Sequence, residues 1–454
     1  MSRILAVATL ALLSASSVLA QQAGKSSECG EGKSCPSSKP CCSQYGQCGV
    51  GAFCLGGCDP LNSFSLNSCV PAPVCNSGDY KFDNLDGIQS NTEYLGDASK
   101  ANWVSSGQPE QFEDNVLLTL SETGKSSFGT LLASTSYVWY GKISARMKSS
   151  RGKGVVTAFI LMSDVKDEID FEFVGTDLQT AQSNFYFQGI PDYDNGKNLT
   201  VKSSTFDDYH TYVIDWTPTQ LTWSVDNTVL RTLKRSETWN TTTNQYHYPQ
   251  TPARVQLSLW PAGNPKNGQG TIAWAGGLVD WNAPDVAKFG YYYSMISDIN
   301  VDCYPTPDGA NKTGDKAYIY TAKSGMNNSV AITDDDTVLK SLLGTGTNMD
   351  ADYPKAKESD TAESPAATSD VATVPGLTGA GPGTNGHPGN DGSDNTVSET
   401  GNSGTSGSGS TSPGVGGFSQ GTETQKSEGS LPKERGLQSS MFAALVAVMG
   451  LLVL

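Results

Sequence analysis

The stretch Val165–Gly175, VKDEIDFEFVG, decides how this chain is read. Four acidic residues, Asp167, Glu168, Asp170 and Glu172, fall within six positions, and the last three alternate with Ile169, Phe171 and Phe173. A period of two is the signature of a β-strand, whose side chains point to opposite faces in turn. Ile169, Phe171 and Phe173 then form a buried face, and Glu168, Asp170 and Glu172 share the other. Like charges side by side on one face repel, so either this face is solvated or the carboxylates are placed for chemistry. Retaining glycoside cleavage needs two carboxyl groups roughly 5–5.5 Å apart, one as nucleophile and one as acid/base. Residues i and i+4 of a strand have Cα atoms about 13 Å apart. Two glutamates leaning toward each other, on a strand curved around a concave face, cover most of that gap. Crowding and partial burial raise the carboxyl pKa values and keep the acid protonated.

The surroundings are of the same kind. SYVWYGKISARMKS, VVTAFILM, SNFYFQG, YHTYVIDWT, LTWSVDNTVLRTL and RVQLSLWPAG are short apolar or alternating runs separated by Gly, Pro, Asn and Asp. They read as strands, with a hairpin turning at Asp226–Asn227. Residues 76–335 therefore form one all-β domain, a large sandwich or jelly roll, with no βαβ alternation. The loose match of Gly268–Ala273 to a dinucleotide fingerprint reads as a glycine-rich loop, because no parallel unit surrounds it. Trp260, Trp274 and Trp281 are candidates for stacking on a sugar, or for core packing. Asn184, Tyr186 and Gln188 share a face if 182–188 is a strand. His210 and Trp216 suit the core or its margin.

The ends of the chain are of another character. Residues 1–20 have one early Arg, an apolar run and small residues before Gln21, as in a secretory signal peptide. Residues 336–427 are rich in Gly, Ser, Thr, Pro and Asp and read as a disordered, O-glycosylated stalk. Residues 428–454 combine a polar spacer with a short apolar tail, behind small residues at Ser427. This is the pattern of a GPI-attachment signal, with Ser427 as the attachment site; a transmembrane anchor fits less well, since no basic flank follows. An extracellular protein is expected, held at the outer leaflet of the plasma membrane and in the cell wall. Sequons at Asn198, Asn240, Asn311 and Asn327 agree. The net charge of −16 and only three scattered histidines argue against a nucleic-acid partner and against a metal site. No cofactor is expected, and the chain reads as a monomer.

The chain has ten cysteines, nine of them (Cys29, Cys35, Cys41, Cys42, Cys48, Cys54, Cys58, Cys69 and Cys75) within residues 21–75. So small a segment needs disulfides in place of a core. Nine is odd, and the tenth is Cys303. If all are oxidised, at least one bridge ties this segment to the β-domain, through Cys69 or Cys75.

Two resemblances follow from these residues. The run PCCSQYGQCG within the cysteine-rich segment resembles the hevein-like chitin-binding module, carbohydrate-binding module family 18. It implies sugar contacts from Ser43, Tyr45 and Phe53, with Gln47 where the family has a further aromatic; a purely structural knot is the alternative. E-I-D-F-E, together with YHTYVIDWTPTQLTWSVD and LSLWPAGNPKNGQGTIAWAGGLVDW, resembles glycoside hydrolase family 16 and its fungal Crh branch of cell-wall transglycosylases. The likeness covers roughly residues 29–305, and the order of module, catalytic domain, stalk and anchor signal matches. It implies a concanavalin-like β-jelly roll. Glu168 would be the nucleophile, Glu172 the acid and then base, and Asp170 their assistant. The implied reaction cleaves chitin and passes it to β-glucan or chitin. A plain hydrolase of chitin or β-glucan, or a wall-binding protein without chemistry, are the other readings.

Overall fold

A computed structural model describes residues 28–353, except 31, 124 and 125, together with Thr373. The expected signal peptide, the tail with Ser427 and most of the expected stalk lie outside the described residues. Among the described residues no helix is long and apolar enough to cross a membrane.

Two β-sheets pack face to face. The eight strands of the first are, in chain order, β1 (Ile88–Ser90), β2 (Trp103–Ser106), β3 (Thr130–Val138), β4 (Val156–Ser163), β5 (Glu168–Val174), β6 (Thr180–Tyr186), β7 (Lys197–Thr200) and β8 (Ala253–Trp260). Across the sheet they run β7-β6-β5-β4-β8-β3-β2-β1. All neighbours are antiparallel except β1 and β2. The second sheet follows the path Thr228–Lys234, Gln220–Val225, His210–Trp216, Gly141–Lys148, Tyr292–Cys303, Asn115–Thr123, Pro109–Phe112. This is the expected all-β jelly-roll sandwich.

The alternation in β5 fixes its placement. Ile169, Phe171 and Phe173 join the main core with Phe159, Tyr212, Trp216 and Trp223. Phe173 meets Tyr212 edge-on at 4.6 Å between ring centres. Each such aromatic side chain contributes about 2–3 kcal/mol through burial. The turn between Gln220–Val225 and Thr228–Lys234 has positive φ at Asp226 (48°) and Asn227 (63°), the backbone a tight type I′ hairpin demands. Trp216 is core, and His210 sits at its margin, bonded to Asp226.

All ten cysteines are paired: 29–42, 35–48, 41–54, 58–69 and 75–303. Cys75, not Cys69, makes the bridge to the β-domain. Cys29, Cys35 and Cys42 lie close enough to suggest a metal site, but their sulfurs are used in disulfides.

Three expectations need correction. The stalk does not begin at 336. Leu339 is buried among Phe53, Leu55, Val70 and Tyr94, and its N–H donates to the Leu95 carbonyl at 2.7 Å. Gly344 accepts from Gly51 N–H (2.8 Å) and Ser68 accepts from Gly346 N–H (2.8 Å), so residues 337–346 strap the cysteine-rich module to the sandwich. Nor is 75/76 a clean boundary: Ala72–Pro73 pairs with Ala317–Tyr320 in a separate four-stranded sheet. Finally, Gln269–Trp274 is a short helix, α1, and not a loop.

Candidate active site

Pairing across the sheet lines up the residues of one face in rows. Glu168 lies opposite Met162 on β4 and Tyr186 on β6. Asp170 lies opposite Ile160 and Asn184, and Glu172 opposite Ala158 and Gln182. One strand further on, Met162, Ile160 and Ala158 face Arg254, Gln256 and Ser258 of β8. The three carboxylates therefore sit mid-sheet, on the face turned away from the core.

That face is not solvated. Glu168, Asp170 and Glu172 are only 6%, 1% and 7% exposed. Removing an unpaired carboxylate from water costs several kcal/mol, so burial favours the protonated form. Burial raises Glu168 well above the usual carboxylate range, and repulsion from Asp170 adds to it. Burial likewise raises Glu172, helped by Asp170 and then Glu168. Asp170 is pushed up to about 7 by burial, opposed by the Arg231 guanidinium and by a hydrogen bond from the Asn184 backbone. Asp170 Oδ1 and Tyr186 Oη are buried with no hydrogen-bond partner among the described residues. Buried polar atoms are seldom left unsatisfied, so an orphaned pair beside three acids marks a place for a polar ligand.

Asp167 does something else. Its Oδ2 accepts from Gln250 N–H (2.9 Å), Thr251 N–H (3.1 Å) and Thr251 Oγ1 (2.7 Å), and its Oδ1 accepts from Gln188 N–H (3.0 Å). It is a structural clamp at the entry to β5.

Asn184 and Tyr186 lie on the site face, beside the triplet. Gln188 does not: β6 ends at Tyr186, Gln188 has φ 50°, and its amide donates to the Ser324 carbonyl. Trp260 and Trp274 belong to this face, with ring centres 6.1 Å apart, but are buried with Leu131, Val156 and Val174. Neither offers an open ring to a sugar. Trp274 Nε1 donates to Gln182 Oε1 at 2.8 Å, so α1 roofs one end of the face. Trp281 packs on Tyr292, away from the triplet. Gln182, Arg254 and Gln256 were not singled out from sequence; the parity that marked Asn184 also covers Gln182, but only sheet pairing brings β8 to the site.

The cysteine-rich module departs most from expectation. Phe53 is buried in the strap cluster and Gln47 is fully buried. Ser43 Oγ accepts from Gln47 N–H at 3.3 Å, and Tyr45 packs against the Trp260 cluster. Ser43, Tyr45 and Phe53 thus form no open platform. Of the sequons, Asn198 and Asn311 are exposed, and Asn240 and Asn327 half-buried. Asn198 pairs with Gln182, at the edge of the site face.

The chain is similar to known proteins. A family model described as Glycosyl hydrolases family 16 matches residues 97–276. Crh-like protein 3 of Botryotinia fuckeliana is 56% identical over 339 residues, covering 75% of this chain and 74% of that protein. Crh-like protein 2 of Aspergillus fumigatus is 58% identical over 311 residues, covering 68% and 70%. A solved structure described as Crh5 transglycosylase in complex with NAG is 28% identical, covering 62% of this chain and all of that one, with TM-score 0.48. This chain belongs to glycosyl hydrolase family 16 and, within it, to the Crh-like proteins of fungi.

Proposed function

We propose that this protein is a retaining cell-wall transglycosylase that cleaves chitin and transfers it to β-glucan or chitin. The observation that carries the reading is the row of three buried carboxylates on one face of β5, with unsatisfied polar atoms beside them. Glu168, ionised, attacks the anomeric carbon. As that bond forms, the glycosidic C–O bond breaks and the leaving oxygen takes the proton of Glu172. Glu172, now a base, accepts the proton of an incoming sugar hydroxyl, whose oxygen displaces Glu168 from the anomeric carbon. Two inversions restore the starting configuration. Asp170, kept partly protonated by burial, would lend its proton in a hydrogen bond to Glu168 and so favour the ionised nucleophile.

Transfer is favoured over hydrolysis where water is excluded while the intermediate waits. The burial of the triplet supports that balance. The other elements of the proposal are export, a GPI anchor at Ser427 holding the enzyme at the membrane and wall, glycosylation at the four sequons, and sugar contacts from Asn184 and Tyr186.

The test uses purified protein with a chitin oligosaccharide and a fluorescent laminarin oligosaccharide, products read by mass. A labelled product longer than the acceptor supports transfer. Shortened chitin with no labelled hybrid replaces it with hydrolysis, and no reaction removes the enzymatic reading.

A further inference from the structure

The module lies along β8, on the site face. At one end of the strand, Gly57 N–H donates to Asp164 Oδ1 and to Tyr137 Oη, both at 3.0 Å. In the middle, Gln44 Oε1 accepts from Arg254 Nη2 (3.1 Å) and Gln256 Nε2 (3.2 Å). At the far end Tyr45 packs against the cluster that contains Leu131, Trp260 and Trp274. Arg254, Gln256 and Trp260 are alternate residues of β8 and share the face of the carboxylates. The module therefore covers β8 along its length.

The seat is fitted. A Cβ on Gly56 would stand 2.6 Å from Arg254 Nη1, and one on Gly57 2.7 Å from Arg254 Nη2. Behind the module, Leu339 and the strap hold it in place. The cavity left at the seam is about 80 Å³, bordered by Ser43, Gln44, Tyr45, Tyr137 and Arg254. It has room for a few waters but not for a sugar ring.

Only β4 separates β5 from β8. Strands lie about 4.8 Å apart, so the module stands roughly 10 Å from the carboxylates, a span of about two hexose rings. A sugar chain crossing the sheet meets protein there. We propose that the cysteine-rich module is the end wall of the substrate cleft. Gln44 and Tyr45, seated on Arg254, Gln256 and Trp260, confine the chain to about two rings on the β4 side, so the enzyme works near a chain end on that side. The proposal rests on Glu168 and Glu172 being the reacting carboxylates.

The experiment digests a chitin octasaccharide with the full-length protein and reads all fragments and transfer products by mass. An end wall requires that every cut leave one piece of about two rings or fewer; internal cuts with both pieces longer overturn it. The variant Gly56→Gln, which crowds Arg254, is expected to raise internal cuts about tenfold, with hydrogen exchange at the Gly57 amide rising in parallel. Faster exchange with an unchanged fragment pattern overturns the proposal, as does a uniform gain in rate at the same pattern, which would make the module a plain blocker. Absence of any cleavage by the unaltered protein would strike the enzymatic reading instead, so the two failures are distinct.

Discussion

Trp223, on the second sheet, donates its indole N–H to the backbone carbonyl of Asp170 at 2.9 Å, through the core. Arg231 lies over the Trp223 ring at 4.3 Å. Its Nη1 donates to the Ser183 carbonyl (2.8 Å) and Oγ (3.0 Å), and its Nη2 to the Asn195 carbonyl (2.6 Å). One half-buried cation thus braces β6 and the segment leading into β7, and it lowers the Asp170 carboxyl against the effect of burial. The cost of burying Arg231 shows in its own pKa, pulled down to about 10.

Arg231→Met should therefore do two things. Lost hydrogen bonds to buried carbonyls cost about 2–4 kcal/mol of stability, read by urea unfolding. Loss of the charge raises Asp170 further, so the alkaline limb of the kcat profile, on which Asp170 loses the proton it lends to Glu168, moves to higher pH. Arg231→Lys keeps the charge and should restore the limb without restoring the stability. A limb that stays put in Arg231→Met would reduce Arg231 to a structural part.

Replacing the two glutamates should give different signatures. Glu168→Gln removes the nucleophile, and activity on every donor should fall at least about 1,000-fold. Glu172→Ala removes the proton source. Cleavage should fall similarly on chitin oligosaccharides but recover on a donor with a nitrophenyl leaving group, which needs no protonation, once azide is supplied as the acceptor. Mass spectrometry should find a glycosyl azide, and proton NMR of its anomeric centre should show the β-configuration. An α-product, or rescue of Glu168→Gln rather than Glu172→Ala, would exchange the two roles.

The strand and its two faces could be read from EIDFEF because a period of two leaves no choice about which residues share a side. The hairpin at Asp226–Asn227 was equally local. What could not be read is everything that depends on contacts far apart in sequence. Gln188 obeys the parity of β6, yet the strand ends first, because the Gln188 N–H is taken by Asp167, 21 residues away. Residues 337–346 carry Val338, Leu339, Leu342 and Leu343, unlike the Gly/Ser/Thr-rich stretch beyond them, but their partners lie far away in sequence: Leu339 packs among Phe53, Leu55, Val70 and Tyr94. Arg254 and Gln256 join the site through sheet order, and of the module residues expected to contact sugar, Tyr45 is half-covered by the site face while Phe53 is buried beneath the strap.

Asp164 and Asp167 predict a stability that falls as pH rises. Both are buried, and burial pushes each up to about 6, partly offset by Arg254 near Asp164 and by the Gln250 N–H and Thr251 bonds to Asp167. The folded chain thus binds more protons than the unfolded chain between about pH 4 and 6. The contribution is complete below the unfolded pKa and is lost as pH passes through 6, about 3 kcal/mol for each group at most. Tm should drop between pH 4 and 7. Asp164→Asn keeps an oxygen to accept from Gly57 N–H and Tyr137 Oη and should flatten part of the fall. A Tm that rises across this window would contradict the assignment.

The bridge Cys75–Cys303 spans 228 residues and closes nearly the whole β-domain into one loop. It joins the end of the module segment to Tyr292–Cys303, the strand that pairs with Gly141–Lys148 at the centre of the second sheet. In the chain-entropy account a loop of this size stabilises by about 5 kcal/mol, because the unfolded chain loses so much freedom. For a domain of this length about 1 kcal/mol corresponds to roughly 2–4 °C, so Cys75→Ser with Cys303→Ser should lower Tm by roughly 10–20 °C. The four short bridges constrain only the module, since Cys58–Cys69 and its neighbours span 11 or 13 residues each. If the double variant unfolds in one transition, module and sandwich remain a single cooperative unit through the strap and the Gly57, Gln44 and Tyr45 contacts. Two separate transitions by calorimetry would show that the long disulfide, and not the seat on β8, couples them.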